Sequence, residues 1–526
     1  MKKTMQKMLA ALLSAAMVLS VSACAQTQPA ASAPEEAAVA EAPAAEEPAA
    51  AEEAAAPAEE REVETIVMPY MITMNPCEDR EMVVKAINEK LEEKGYPVRV
   101  EFTFIDFPSW GQQMNLMLAD GSMDLFNCCF MDSVGTLVNN GALAPIDDLL
   151  DQYGQGIRDL LGEYLVCGQV GGVTYGTPKL AAYGNAPMII MNKRMLDECG
   201  INRDDIVDLE TMTDAFRKIH EQFPDVTTLS TGPGGATYDP AGLDYLGSGK
   251  PYACIKLEEG SDDLTVFNYY ATDEFKELVA LTKIWADEGF FRKDAMNYQD
   301  SSFTSMHDES SFSTFAGYAS EAICDSVYAT AIPIPNVSAQ IAEHAWITTT
   351  NVNGMTWCIP ALSKHKEAAM IFLNALYTDP DIANVCNYGV EGVHYKVEDN
   401  GTAVYVDPET QTATTSGWPA GMGTFWPNML ICHPFTPDTI QSYQDQLKSN
   451  EISLSSPALG FVFDSAPVMD EVAAVNGTID KYLNAIMLHV GDSEEMTKKM
   501  LEEMDANGLQ DIIEEKQGQL NEWAGK

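Results

Sequence analysis

The sequence predicts an α/β protein of two lobes behind an export segment, and three observations carry that expectation. Residues 65–130 alternate strand-like apolar runs with helically spaced ones in the order β-α-β-α-β, the pattern of a parallel sheet with covering helices. A glycine-rich turn at 171–178 then leads into a separate apolar strand at 188–191, so the chain leaves the first set of elements for a second. No run of about 18 uninterrupted apolar residues follows the export segment, so nothing beyond it reads as a membrane-spanning helix. The body of roughly 460 residues is long enough for two or three cores.

The N-terminus carries Lys2, Lys3 and Lys7 ahead of an apolar run at 8–18, and Val21-Ser22-Ala23-Cys24 ends it with small residues before a cysteine. That is the form of a secretory signal, and the cysteine after the cut resembles the bacterial lipobox. Residues 1–23 are therefore expected to be a lipoprotein signal peptide, and Cys24 the lipidated residue. Residues 24–64 form an Ala/Pro/Glu linker with eleven Glu against one Arg, too poor in apolar surface to fold. The formal net charge of the whole chain is −48 at pH 7, which argues against nucleic acid as a partner.

Within the body, a strand is expected at 65–70, a helix at 78–93 stopped by Gly95 and Pro97, and a strand at 98–105. A second helix follows Pro108 as far as Gly121, then a strand at 124–130. Ligands of open α/β sheets lie beyond the carboxyl ends of the strands, which puts 107–110 and 128–132 at a cleft edge. A short helix opens at Asn192 and stops at Gly200. Helices are expected at 211–223 and 273–288, the second with Trp285 on its apolar face. The polar, aromatic stretch 301–319 reads as an exposed loop. Gly247-Ser248-Gly249-Lys250 is not a phosphate loop, because Asp244 replaces the first glycine and Pro251 the magnesium-binding hydroxyl.

Three stretches carry a family resemblance. Tyr175-Gly176-Thr177-Pro178, a strand, then Asn192-Lys193 through Leu196 to Gly200-Ile201 resembles the crossover of extracellular solute-binding proteins of bacterial ABC importers. The second stretch includes Ser363-Lys364-His365-Lys366-Glu367-Ala368-Ala369 and Tyr388-Gly389-Val390-Glu391-Gly392-Val393-His394-Tyr395. With Gly460-Phe461-Val462-Phe463-Asp464 and the helical tail 508–523, it is similar to the LipO/LplA type, which has a C-terminal domain of unknown function. The resemblance implies a two-lobed periplasmic-binding-protein-like fold of type II, with interleaved lobes joined by hinge strands. Residues 65–175 and 350–398 are expected in lobe 1, and 176–349 and 399–526 in lobe 2 with the C-terminal family domain. Hinges are expected at 174–183, 346–357 and 395–401. The resemblance also implies membrane permease subunits as partners.

Catalytic signatures are lacking. The seven histidines are scattered, with no HExxH, no zinc spacing and no GxSxG elbow. No metal or cofactor is expected, and His394 reads as a structural histidine. Ten cysteines follow Cys24 without a CxxC pair, which leaves free thiols and disulfides both open. A sugar cleft needs flat aromatic faces with amides and carboxylates for hydroxyls. The aromatic candidates are Trp110, Tyr183, Tyr238, Trp346, Trp357, Trp418 and Trp426, and the polar ones Gln113, Asn185 and Asp239. Few arginines occur in the body, and arginine is the residue suited to capturing carboxylate or phosphate, so a neutral ligand is favoured.

The expected protein is a monomeric, lipid-anchored binding protein on the outer face of the cytoplasmic membrane, capturing an oligosaccharide for import. A peptide-binding receptor, a glycan-degrading lipoprotein and a surface adhesin are the alternatives. Replacing the lipidation site, Cys24→Ser, should leave the folded body unchanged and release the protein from membranes. Retention in the membrane fraction after a high-salt wash would show that the lipobox reading is wrong.

Overall fold

A computed structural model describes residues 61–525 except 74, 132, 232–241, 300, 333, 420–424 and 437. The export segment, Cys24, Tyr238 and Asp239 lie outside the described residues. The first lobe opens with β1 (Glu64–Ile72) and β2 (Val98–Asp106), paired in parallel from Glu64–Val98 to Ile72–Asp106. Between them α1 (Arg80–Glu93) buries Val83, Ile87 and Leu91, one helical face at four-residue spacing, in the core that also holds Ile66, Met68, Val98 and Val100. α2 (Trp110–Asp120) follows β2 and is closed by Gly121 at φ 68°, a left-handed position that suits glycine. The expected strand at 124–130 shortens to β3 (Phe126–Asn127). Asp124 joins it to β1: Val67 N–H donates to Asp124 Oδ2 (3.0 Å) and Asp124 N–H to Val67 O (2.8 Å).

β4 (Gly176–Pro178) ends the first pass, and the chain enters the second lobe. There β5 (Ala186–Asn192), α3 (Leu209–Gln222), β6 (Thr227–Ser230), α4 (Asp273–Asp287), β7 (Ser311–Tyr318), α5 (Glu321–Ala331) and β8 (Asn336–Gln340) follow in sequence. Their sheet has the order β8-β5-β7-β6, with β7 parallel to β6 and antiparallel to β5. Trp285 fills its core as expected, fully buried, its indole N–H donating to Thr213 Oγ1 (2.9 Å). The stretch 301–319 is not the expected exposed loop. It contains β7, an interior strand whose first four residues are buried. Its serines and threonines conceal the strand in the sequence; Ser313 Oγ donates to Thr228 O (2.7 Å), while Ser311 Oγ is buried without a partner among the described residues.

The return crosses through β9 (Trp346–Ile347) to β10 (Thr356–Cys358), which enters the first lobe between β3 and β4. α6 (Lys366–Thr378) and α7 (Pro380–Tyr388) then complete the first core. β11 (Tyr395–Val397) and β12 (Ala403–Tyr405) form a hairpin beside Tyr388 and Phe435. α8 (Ile440–Ile452) and β13 (Leu454–Ser455) follow, β13 pairing with β9. Two expectations change here. Trp418 and Trp426 belong to the first core, so this part of 399–526 packs with lobe 1, because its large rings fill the space over Tyr70 and Phe102. The 395–401 hairpin is a side structure rather than a crossing. The segment that pairs with the first crossing is 427–428, where Leu180 N–H donates to Pro427 O (2.8 Å).

The C-terminal helices α9 (Met469–Met487), α10 (Ser493–Ala506) and α11 (Leu509–Trp523) make a third core with residues 246–278. Lys516 of α11 is completely buried, and its ammonium donates to Ala253 O (2.9 Å), Tyr245 O (3.2 Å) and Ser248 Oγ. Burial pushes this ammonium down to about 7, whereas an unfolded lysine titrates near about 10.4. Between those values the unfolded chain holds the proton and the folded chain does not, so this group makes stability rise with pH. Lys516→Met should fold at a cost of about 1–3 kcal/mol for the stranded acceptors. It should also lose that rise between about pH 7 and about pH 10 in urea unfolding; an unchanged slope would mean that the ammonium is not desolvated.

Candidate ligand site

The carboxyl ends of β1 and β3 carry a pocket of about 50 Å³. β1 contributes Tyr70, the start of α2 contributes Trp110, and β3 contributes Asn127. The 107–109 turn ahead of α2 swings Trp110 back, so that its indole N–H donates to Cys129 O (3.1 Å). Asn127 fixes the opposite wall: its Nδ2 donates to Phe425 O (3.1 Å), and its Oδ1 accepts from Cys129 N–H (2.8 Å). β10 sets Trp357 opposite Asn127 in register, and Trp357 stacks on Trp426 at 6.0 Å with 14° between the planes. Among the described residues the pocket wall holds no charged side chain. Lys179, at the first crossing beside Cys129, is outside that wall; burial pushes its ammonium down to about 8. Two larger hollows, about 1390 and 710 Å³, run along α4 on faces lined with Lys, Asp and Glu.

The pocket gathers three of the expected aromatic residues, Trp110, Trp357 and Trp426, and leaves the others elsewhere. Trp418 is fully buried behind it, against Tyr70 (4.9 Å), with its indole N–H on Cys386 O (3.1 Å). It is a core residue, because no face of its ring is open to a ligand. Tyr183 is buried at the lobe junction, its hydroxyl on Lys179 O (2.8 Å) and its ring 4.8 Å from Tyr164. Asn185 and Trp346 are paired across the crossings by backbone bonds of 2.9 and 3.0 Å. Trp346 packs into the third core. Gln113 is exposed on α2.

His394 is structural, as expected. It is fully buried, its Nδ1 accepts from Val390 N–H (2.9 Å), and its Nε2 therefore carries the proton toward Asp79 Oδ2 (3.3 Å). Asp79 N–H in turn donates to Gly417 O (3.1 Å), so the Glu391–His394 turn fixes the loop that brings Trp418. Burial lowers the His394 pKa, which favours that neutral tautomer.

Two exposed aromatic residues at the strand ends escaped sequence reasoning. Phe107 and Phe130 meet edge-to-face at 5.3 Å, each 38% exposed, at the carboxyl ends of β2 and β3. Phe130 holds φ 60°, a strained position for a bulky residue that tends to mark function. The strand-end rule named their segments, but the preference for tryptophan passed them over. Among the described residues, no group of three or more His, Cys, Asp or Glu is placed to hold a metal ion, and all ten described cysteines are free thiols.

Residues 80–382 match the model of the bacterial extracellular solute-binding protein family. The chain belongs to that family. Residues 457–525 match a domain of unknown function, DUF3502, and coincide with the helices of the third core. A carbohydrate ABC transporter substrate-binding protein of Streptococcus pneumoniae serotype 4 is 25% identical over 466 residues, covering 87% of this chain and 91% of that protein. Among solved structures, the N-glycan transport solute binding protein NgtS of Streptococcus pneumoniae superposes with a TM-score of 0.74 at 22% identity, covering 87% of this chain and 98% of its own. An HMO-binding solute binding protein of Bifidobacterium longum infantis superposes at 0.61 and 13% identity, with coverage of 87% and 98%. The fold is thus that of the type II solute-binding proteins.

Because Trp418 fills the core behind the pocket, Trp418→Ala should destabilise the protein by about 3–5 kcal/mol in urea unfolding. Gln113→Ala should change stability by less than about 0.5 kcal/mol. A stable Trp418→Ala variant would return that residue to the list of ligand contacts.

Proposed function

We propose that this protein captures a neutral oligosaccharide outside the cytoplasmic membrane and delivers it to the permease subunits of an ABC importer. The observation that carries the proposal is the pocket of Trp110, Trp357 and Trp426 at the carboxyl ends of the first-lobe strands, uncharged in so acidic a chain. Uncharged indole N–H and amide groups suit the hydroxyls of a neutral sugar. The relatives support the choice of ligand class: NgtS has been solved with Man1GlcNAc and Man5GlcNAc, and FusA of S. pneumoniae with kestose.

The working cycle follows from the architecture. The lobes are joined by crossings at 179–185, 346–355 and 427–455. A ligand that contacts both lobes favours the closed arrangement by its differential affinity alone. The protein acts as a monomer, tethered through the lipid on Cys24 and the acidic linker, and it binds the glycan without cleaving it.

Calorimetric titration with Man5GlcNAc and with kestose tests this reading. Saturable one-to-one binding to at least one glycan is expected, with the sugar recovered intact by mass spectrometry. The affinity should change less than about twofold between about 0.01 M and about 1 M salt, over which the screening length falls from about 30 Å to about 3 Å. A steep loss with salt would identify a charged ligand, and shortened glycan would identify an enzyme.

A further inference from the structure

Besides His394 Nε2, which faces Asp79, seven buried side-chain polar atoms have no hydrogen-bond partner among the described residues, and two of them belong to side chains in the wall of the same pocket. One is Trp357 Nε1, which can only donate. Trp110, Trp285 and Trp418 all donate their indole protons to protein oxygens, and Trp357 departs from these three. The other is Asn387 Oδ1. Its identity as oxygen is fixed by the other half of the amide, which donates to Ala383 O (2.9 Å), an atom that only accepts. Its carboxamide nitrogen also reaches Cys432 Sγ (3.3 Å). Both residues are at least nine-tenths buried, Trp357 at 4% and Asn387 at 2% exposure, and unpaired polar atoms in such surroundings cost stability.

A bare donor and a bare acceptor define the chemistry of what fits. A carboxylate brings no proton for Asn387 Oδ1, and an ammonium brings no lone pair for Trp357 Nε1–H. A hydroxyl supplies both. The space is also informative: about 50 Å³ exceeds the about 10–15 Å³ that one water needs on this measure. It falls far short of the about 300–1,000 Å³ that encloses a whole small ligand. We infer that the pocket is a subsite for a single hydroxyl or hydroxymethyl group at one end of the glycan, which accepts from Trp357 Nε1–H and donates to Asn387 Oδ1. This rests on the oligosaccharide reading for its biological ligand, but the pair of atoms and the volume do not depend on it.

The test follows the Trp357 indole N–H by nitrogen-15 NMR in the whole protein, its cross-peak assigned by its loss in Trp357→Phe. The probes are ethylene glycol, a mimic of a hydroxymethyl group, and sodium acetate, which has the same number of heavy atoms. Ethylene glycol should move the Trp357 peak saturably while the peak of Trp285, in the second-lobe core, stays fixed, and acetate should not move it. A Trp357 peak that glycol leaves still, or that acetate moves as far, overturns the subsite. In parallel, Trp357→Phe drops the donor together with the pyrrole half of the indole. It should melt lower than wild type by the packing lost but still unfold in one cooperative transition, while losing about tenfold in affinity for whichever of Man5GlcNAc and kestose binds. Unchanged glycan affinity in that variant also overturns the subsite. A peak that responds to glycol in a protein that binds neither glycan keeps the hydroxyl subsite and rejects the oligosaccharide reading, so the two fail separately.

Discussion

Three residues, Thr356–Cys358, hold the first lobe together. As β10 they lie between β3 and β4, with Trp357 opposite both Asn127 and Thr177, so neither neighbour has its partner until the chain has been through the second lobe and back. The alternation of a strand then divides the lobe. Trp357 joins the core over β1 and α6, while Cys358 joins the separate core of Met114, Phe126 and Cys128. A one-residue slip would exchange those faces and take the indole out of the pocket wall. The ligand-facing geometry is therefore a consequence of sheet register, fixed by residues 180 and 230 positions apart.

The crossings are built as a ladder, which limits where the lobes can move. Lys179 N–H donates to Met355 O (2.8 Å), Leu180 to Pro427 O, and Asn185 exchanges both bonds with Trp346. Asn450 of α8 grips the first crossing from the side, donating to Ala181 O (2.7 Å) and accepting from Tyr183 N–H (2.8 Å). Tyr183, Tyr164, Ile347 and Val352 pack around this ladder as a small apolar cluster. A junction so bonded bends as a unit, and relative rotation of the lobes falls to the backbone at its ends rather than to the paired residues within.

Much of this was legible in the sequence because periodicity reports directly on burial. The first lobe's β-α-β-α order was readable from the spacing of Val83, Ile87 and Leu91 and from the alternation in 98–105. The helix holding Trp285 was equally plain. Pattern failed where burial was achieved by polar atoms: β7 hides Ser311, Ser313 and Thr314 in an interior strand, and such residues read as loop. The site was half legible for a different reason. An aromatic residue outside a helix is named by composition alone, and nothing local separates Trp357, stacked in the pocket wall, from Trp418, sealed behind it. That difference lies in the Cys386 carbonyl and the Tyr70 ring, which come from elsewhere in the chain. Asn387 was invisible as well, since its meaning depends on an amide half-satisfied by its own helix.

The third core explains why a helical domain belongs at the end of a binding protein. Residues 246–278 have few elements of their own, and α9–α11 supply the apolar faces that bury them. The attachment is specific as well as apolar. Lys516 gathers the carbonyls of Tyr245 and Ala253, and Asp244, beside it, takes the Ser456 hydroxyl (2.7 Å) and the Leu246 N–H (2.8 Å). Burial raises the Asp244 pKa and lowers that of Lys516, so the pair is costly to keep charged and gains geometry more than stability. What that geometry fixes is the pairing of Leu243 and Asp244 with Ile255 and Lys256. Ser230 ends β6 on the other side of residues 232–241. The C-terminal helices thus hold Leu243 and Asp244 at a defined place against the second lobe.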